Sequence, residues 1–285
     1  MRIAAYQGPV AFRGWEANLA ATLDALAKAD DAGAQILCMP ETFLHGYFPA
    51  AAEARAHSVD LQSDFFADLL RRVAGYSPTL LLGLNERRGE ALYNTQVVIE
   101  NGRLLGRYSK NYLVFNYFER GHEFPVFERD GVTYGIIICA DSSYVEPARI
   151  LAMRGAQVIF SPHFNFIPYA GVDRHTRKVR ACHVARAVEN EVFVIKANVI
   201  VPKAQGSPHF RRQGVGVGDS FVVDPDGQFI AEAGQHTERL LIVDLDEDRM
   251  ASERRSLHRV DAAIAGVLAA EYERITSERP IEEEN

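Results

Sequence analysis

The chain has 285 residues, 47% of them hydrophobic and 24% charged, an ordinary balance for a globular protein able to bury a large core. Its 31 Lys and Arg against 38 Asp and Glu leave a net charge of −7, which disfavours nucleic-acid binding and a polybasic membrane anchor. Cys38, Cys139 and Cys182 are an odd, widely spaced set unlike a secreted disulfide framework, and no apolar run approaches the ~20 residues of a membrane span.

The N-terminus enters strand-like sequence without a leader pattern, so a soluble cytoplasmic protein is expected. No linker or repeat divides the chain, which predicts one domain over residues 1–277 followed by a frayed acidic tail, 278–285. Residues 3–7 read as a strand. Residues 15–32 read as an amphipathic helix ending before Gly33, and Ile36-Leu37-Cys38-Met39 as a buried strand stopped at Pro40. A helix over 60–74 precedes strands at 80–84, 93–100 and 104–108, the last two joined by Asn101-Gly102, a strong hairpin signal. A buried strand over 132–139 leads to a helix at about 147–154, a strand at 158–160, a helix near 173–190 and a strand over 192–197. Asp224-Pro225-Asp226-Gly227 marks a second hairpin, 240–243 a late strand, and 257–275 a C-terminal amphipathic helix. Strands interleaved with helices, several paired as hairpins, predict a mixed α/β fold of two packed sheets covered by helices.

Three reactive residues share a placement: Glu41, Lys110 and Cys139 each follow a predicted strand. Ligand crevices form at the carboxyl ends of strands in α/β proteins, so a carboxylate, an ammonium and a thiol there can converge. Each alone has an ordinary structural reading, as a helix cap, a surface charge and a small core residue. After Cys139, Ala140-Asp141-Ser142-Ser143-Tyr144-Val145-Glu146-Pro147 reads as a sharp strand-to-helix turn, and a nearby helix N-terminus favours thiolate.

Together with Leu92-Tyr93-Asn94-Thr95, Gly106-Arg107-Tyr108-Ser109-Lys110, Gly135-Ile136-Ile137-Ile138-Cys139-Ala140-Asp141 and Ala185-Arg186-Ala187-Val188-Glu189-Asn190, these residues resemble the nitrilase superfamily of carbon–nitrogen hydrolases over about residues 1–250. The resemblance implies a four-layer αββα sandwich, homodimers or higher homo-oligomers, and a Cys-Glu-Lys triad without metal or organic cofactor. Carried over, Glu41 is the general base, Cys139 the nucleophile, and Lys110 with the Ala140 N–H the oxyanion donors. Many members carry a second glutamate after the lysine. Glu119 is the candidate here, with Glu123 in reserve, although the segment from Lys110 to Cys139 is shorter than in those members.

Tyr47, Tyr112 and Tyr144, with other aromatics crowding the same loops, are candidates for a narrow pocket preferring an apolar acyl group. His163 and Asn165 follow a strand and are candidates for lining the same crevice. The basic stretch 173–180 reads as a solvated helix face, with the alternative that one arginine reaches the cleft and binds a substrate carboxylate. Arg186, Glu189 and Asn190 read as a structural polar network. No His/Cys/Asp cluster has metal-ligand spacing. The leading reading is hydrolysis of a small amide or N-carbamoyl amine through a Cys thioester, because Ala140-Asp141 stands where the resemblance gives nitrilases Trp-Glu. A nitrile substrate, thioester transfer to an amine and a non-catalytic scaffold are the alternatives.

Overall fold

The computed structural model describes residues 1–202, 213–250 and 262–278. The chain forms two compact units, Met1–Met250 and Ala251–Asn285. Within the first unit the strands in chain order are β1 (Arg2–Pro9), β2 (Ile36–Cys38), β3 (Thr79–Arg88), β4 (Ala91–Glu100), β5 (Arg103–Ser109), β6 (Val126–Arg129) and β7 (Val132–Ile136). They continue as β8 (Val158–His163), β9 (Ile167–Pro168), β10 (Phe193–Val201), β11 (Gly214–Val223), β12 (Phe229–Gln235) and β13 (Arg239–Asp244). The helices are α1 (Trp15–Asp31), α2 (Ala51–Ala56), α3 (Asp64–Val73), α4 (Val145–Met153) and α5 (Val172–Asn190), while the second unit holds α6 (Ala262–Glu278).

One half-sheet runs β13-β1-β2-β3-β4-β5, with β1, β2 and β3 parallel and the others antiparallel. The other runs β6-β7-β8-β10-β11-β12, with β7, β8 and β10 parallel. The two expected sheets are joined: β1 pairs with β10 at Gly8↔Val199 and Pro9↔Ile200, which makes the hydrogen bonding continuous through 13 strands among the described residues.

Alternation of side chains along each strand produces the layers. Ala4, Tyr6, Leu37, Met39, Leu80 and Leu82 face α1 and α3, packing on Leu19, Leu26, Phe66 and Leu69. Their neighbours Ile3, Ala5, Ile36, Cys38 and Leu81 face the other half-sheet and meet Tyr134, Ile136, Phe160 and Ile195. Ile137, Ile159, Val194 and Phe221 turn outward to Ala148 and Leu151 of α4 and Ala187 of α5. Three apolar interfaces between four layers give the αββα sandwich.

The turns follow local chemistry. Asn101 and Gly102 both have positive φ (48° and 70°), as a two-residue hairpin requires. The helix expected from residue 60 begins at Asp64 because the Ser63 hydroxyl caps it, accepting from the Phe66 N–H at 3.3 Å. The strand expected through 139 stops at Ile136, and β6 and α2, both short, carried no periodic signal. Residues 257–261 of the expected last helix and 279–285 of the expected tail lie outside the described residues.

Candidate active site

Pro40 has no N–H to extend the ladder of β2, so the chain leaves the sheet there and delivers Glu41 to its end. The Glu41 carboxylate is fully buried. One oxygen accepts from Lys110 Nζ at 2.6 Å and Asn94 Nδ2 at 2.7 Å, and the other from the Phe164 backbone N–H at 2.8 Å. Lys110 follows β5 directly, its N–H bonded to the Asn94 carbonyl and its own carbonyl accepting from the Gly121 N–H, both at 2.9 Å. A Cβ on residue 121 would stand 2.0 Å from the Ser109 carbonyl oxygen, so the returning loop needs glycine there. Burial pulls the Lys110 ammonium down, but Glu41 and then Tyr47 and Cys139 outweigh it, and the net direction is up.

Beyond β7, Ile137 and Ile138 anchor in the outer and the inter-sheet core respectively. Cys139 then adopts φ +48° and opens a 3-10 turn, Cys139–Ser143. Left-handed backbone on a non-glycine residue is strained, a frequent property of functional positions. Asp141 holds the turn in place: its carboxylate accepts from the Ile138 N–H (2.9 Å), the Tyr108 hydroxyl (2.8 Å) and the Asn111 and Tyr112 N–H groups (3.3 and 2.8 Å). One carboxylate thus ties the thiol's turn to the loop that follows Lys110.

The thiol lies 3.5 Å from Asn165 Nδ2, and the Glu41 and Lys110 charges act on it with opposite sign. The expectation of a stabilised thiolate is corrected. Burial first and the Glu41 charge second push Cys139 up to about 12, against the opposing pull of Lys110. The thiol's residue opens the 3-10 turn, and α4 begins after it at Val145.

A cleft of about 730 Å³ opens over Cys139, walled by Tyr47, Phe115, Phe164, Phe166 and Val179 among the described residues. Ala140, His163 and Asn165 also line it. Tyr47 sets its ring 5.7 Å from Lys110 Nζ. The other candidates lie elsewhere. Tyr112 and Tyr144 stack on each other at 3.6 Å outside the cleft lining, and Tyr144 is exposed. Glu119 is also exposed: its N–H is tied to the Leu92 carbonyl at 2.8 Å, and its side chain is not among the cleft-lining groups. Glu123 borders a separate surface pocket with Arg88 and Arg107. Helix α5 presents His175 and Val179 to the cleft and none of its arginines: Arg180 is engaged by Asp219 and Glu232, and Arg186 by Glu189 and the Tyr144 carbonyl. Among the described residues, no group of three or more His, Cys, Asp or Glu is arranged to hold a metal ion.

Sequence reasoning gave no role to Asn94, Asp141 or the Phe164 N–H. Asn94 and Asp141 stood inside stretches already singled out, but a backbone donor such as that of Phe164 leaves no trace in residue identity.

The carbon-nitrogen hydrolase family model matches residues 2–255. An (R)-stereoselective amidase of Pseudomonas sp is 31% identical over 84% of this chain and 82% of that protein. An N-carbamoylputrescine amidase of Arabidopsis thaliana is 27% identical over 84% of each. The crystal structure of an amidase from Nesterenkonia sp. superposes with a TM-score of 0.74 at 30% identity, covering 90% of this chain and 95% of that one. With a family match over nearly its whole length and a fold that superposes on that amidase, the chain belongs to the carbon–nitrogen hydrolase family of the nitrilase superfamily.

Proposed function

We propose that this protein hydrolyses a small linear carboxamide or ureide through a covalent thioester on Cys139. The observation that carries the reading is a thiol on an apolar-walled cleft, under the charge of a buried carboxylate that itself pairs with a buried ammonium at 2.6 Å. Because the thiol rests protonated, the base has to act at the moment of attack. Glu41 takes the Sγ proton as sulfur bonds to the carbonyl carbon, and the oxygen that gains the charge is met by Lys110 and the Ala140 N–H. The proton passes to the leaving nitrogen, the C–N bond breaks and ammonia or an amine departs. Water then gives a proton to Glu41 and attacks the thioester, which releases the acid and restores the thiol.

The aromatic walls support a short apolar acyl group. Among the relatives, a variant of the Nesterenkonia sp. amidase was solved with butyramide, and the Arabidopsis thaliana protein is named for a carbamoyl amine. A cytoplasmic, homo-oligomeric enzyme completes the proposal, supported by three free thiols, which suit a reducing compartment.

The test is ammonia release from a panel of aliphatic and aromatic amides, N-carbamoyl amines and the matching nitriles, with Cys139→Ala alongside. Turnover of an amide or ureide that disappears in Cys139→Ala is the expected result. Ammonia and acid from nitriles alone would replace the amide reading by the nitrile one.

A further inference from the structure

A buried hydrogen-bonded chain next to the cleft takes no part in the steps above. His183 Nδ1 in α5 stands 2.8 Å from the Val179 carbonyl oxygen, one turn back. A carbonyl only accepts, so this nitrogen carries a proton. Burial, reinforced by Lys196, lowers His183 to about 3, so the ring is neutral and Nε2 is an acceptor. The Ser161 hydroxyl, 3.0 Å from that nitrogen, therefore donates to it and accepts in turn from His163 Nε2, also at 3.0 Å. His163 is itself kept neutral by burial and by the nearby His183 and Lys196. With the proton on Nε2, its Nδ1 is left as a lone-pair acceptor. The backbone of α5 thus dictates, through two side chains, which nitrogen of a cleft residue accepts.

That Nδ1 is buried without a hydrogen-bond partner, on a residue 1% exposed that lines the cleft beside Cys139. Two positions along, Asn165 donates through Nδ2 toward the sulfur, which leaves its Oδ1 as a second buried acceptor without a partner on the same cleft. A terminal –NH2 group carries two N–H donors, whereas a nitrile or an ester offers none at the corresponding position. A site whose buried acceptors need donors rejects an isostere lacking them far more strongly than an apolar pocket rejects a change of size.

We propose that His163 Nδ1 and Asn165 Oδ1 accept the two N–H bonds of the substrate's terminal –NH2, so that the site selects unsubstituted amides and ureides. This assignment rests on the hydrolase reading of the same cleft. It gives His163 the substrate-orienting place for which Glu119 is wrongly placed, and it makes Ser161 and His183 positioning residues that hold the acceptor tautomer.

The test compares the primary amide turned over fastest in the panel with the methyl ester of the same acid, which shares its acyl group and has no N–H. For wild type, His163→Leu and Ser161→Ala, the quantity read is the ratio of kcat/KM for amide to that for ester. The ratio is expected to fall about tenfold or more in His163→Leu, the loss of a buried hydrogen bond. Ser161→Ala keeps the imidazole but frees its tautomer, and the ratio should fall in the same direction by less. If amide and ester turnover decline together so that the ratio stays at its wild-type value in both variants, His163 is only structural and the proposal is overturned. If wild type turns over no amide or ureide, the hydrolase reading itself fails and takes this assignment with it.

Discussion

The Glu41 carboxylate and the Lys110 ammonium form an ion pair at 2.6 Å with both side chains withdrawn from solvent, 0% and 1% exposed. Taking two charges out of water is costly, and their attraction offsets this only if the remaining hydrogen-bonding capacity is also used. Here Asn94 and the Phe164 N–H complete the carboxylate's shell, so β2, β4, β5 and the end of β8 are tied together at one buried point.

Breaking this pair from one side should destabilise the protein as well as silence it. Lys110→Met leaves a buried carboxylate without its counter-charge and is expected to cost about 3–5 kcal/mol, read as a lowered denaturation midpoint. The double variant Glu41→Gln with Lys110→Met removes both charges and should recover a large part of that loss while remaining inactive. If the double variant were as unstable as the sum of the single ones, the pair would not be coupled as described.

The raised thiol has a kinetic signature of opposite sign to activity. With Cys139 at about 12, the thiolate fraction grows tenfold per pH unit from 7 to 10, so alkylation by N-ethylmaleimide in a Cys182→Ser background should rise across that range without a plateau. Glu41→Gln removes a charge that holds the thiol protonated, while Lys110 still favours thiolate. Its alkylation profile should therefore move to lower pH, even as amide turnover is lost. A wild-type profile that levels off near neutral pH would show a preformed thiolate and contradict the geometry.

Asp141 is expected to matter more than its distance from the chemistry suggests. Asp141→Ala strands three backbone N–H groups and the Tyr108 hydroxyl, all bonded to this one carboxylate. Buried donors left unsatisfied cost about 1–3 kcal/mol each before relaxation, so a clear drop in melting temperature should accompany the loss of kcat. Unchanged stability with full activity would mean that the turn at Cys139 holds itself.

Much of the architecture was legible because it rests on local chemistry. The Asn101-Gly102 hairpin, the Pro40 stop and the buried runs at 36–39 and 132–138 are visible in residue order, while the split of Ile36 from Leu37 and Ile136 from Ile137 into different layers is not. Glu41, Lys110 and Cys139 were legible for the same reason, since each sits where a strand must end. What failed depended on direction and environment. Glu119 has the right chemistry and lies in the right loop, but a backbone bond to Leu92 leaves its side chain exposed outside the cleft. An arginine of the stretch 173–180 was a plausible ligand, but none lines the cleft, and Arg180 is engaged by Asp219 and Glu232.

The sequence by itself determined the layered α/β fold and the placement of Glu41, Lys110 and Cys139 just past strand ends, because periodicity and turn chemistry act over a few residues. The tertiary structure alone decided the protonation of the thiol, the partners of Glu41 and the tautomer of His163. Those depend on burial and on hydrogen bonds that include residues far apart in the chain, such as Ser161 with His183, 22 positions away, and Glu41 with Phe164, 123 positions away. Desolvation and long-range pairing exist only once the layers have closed.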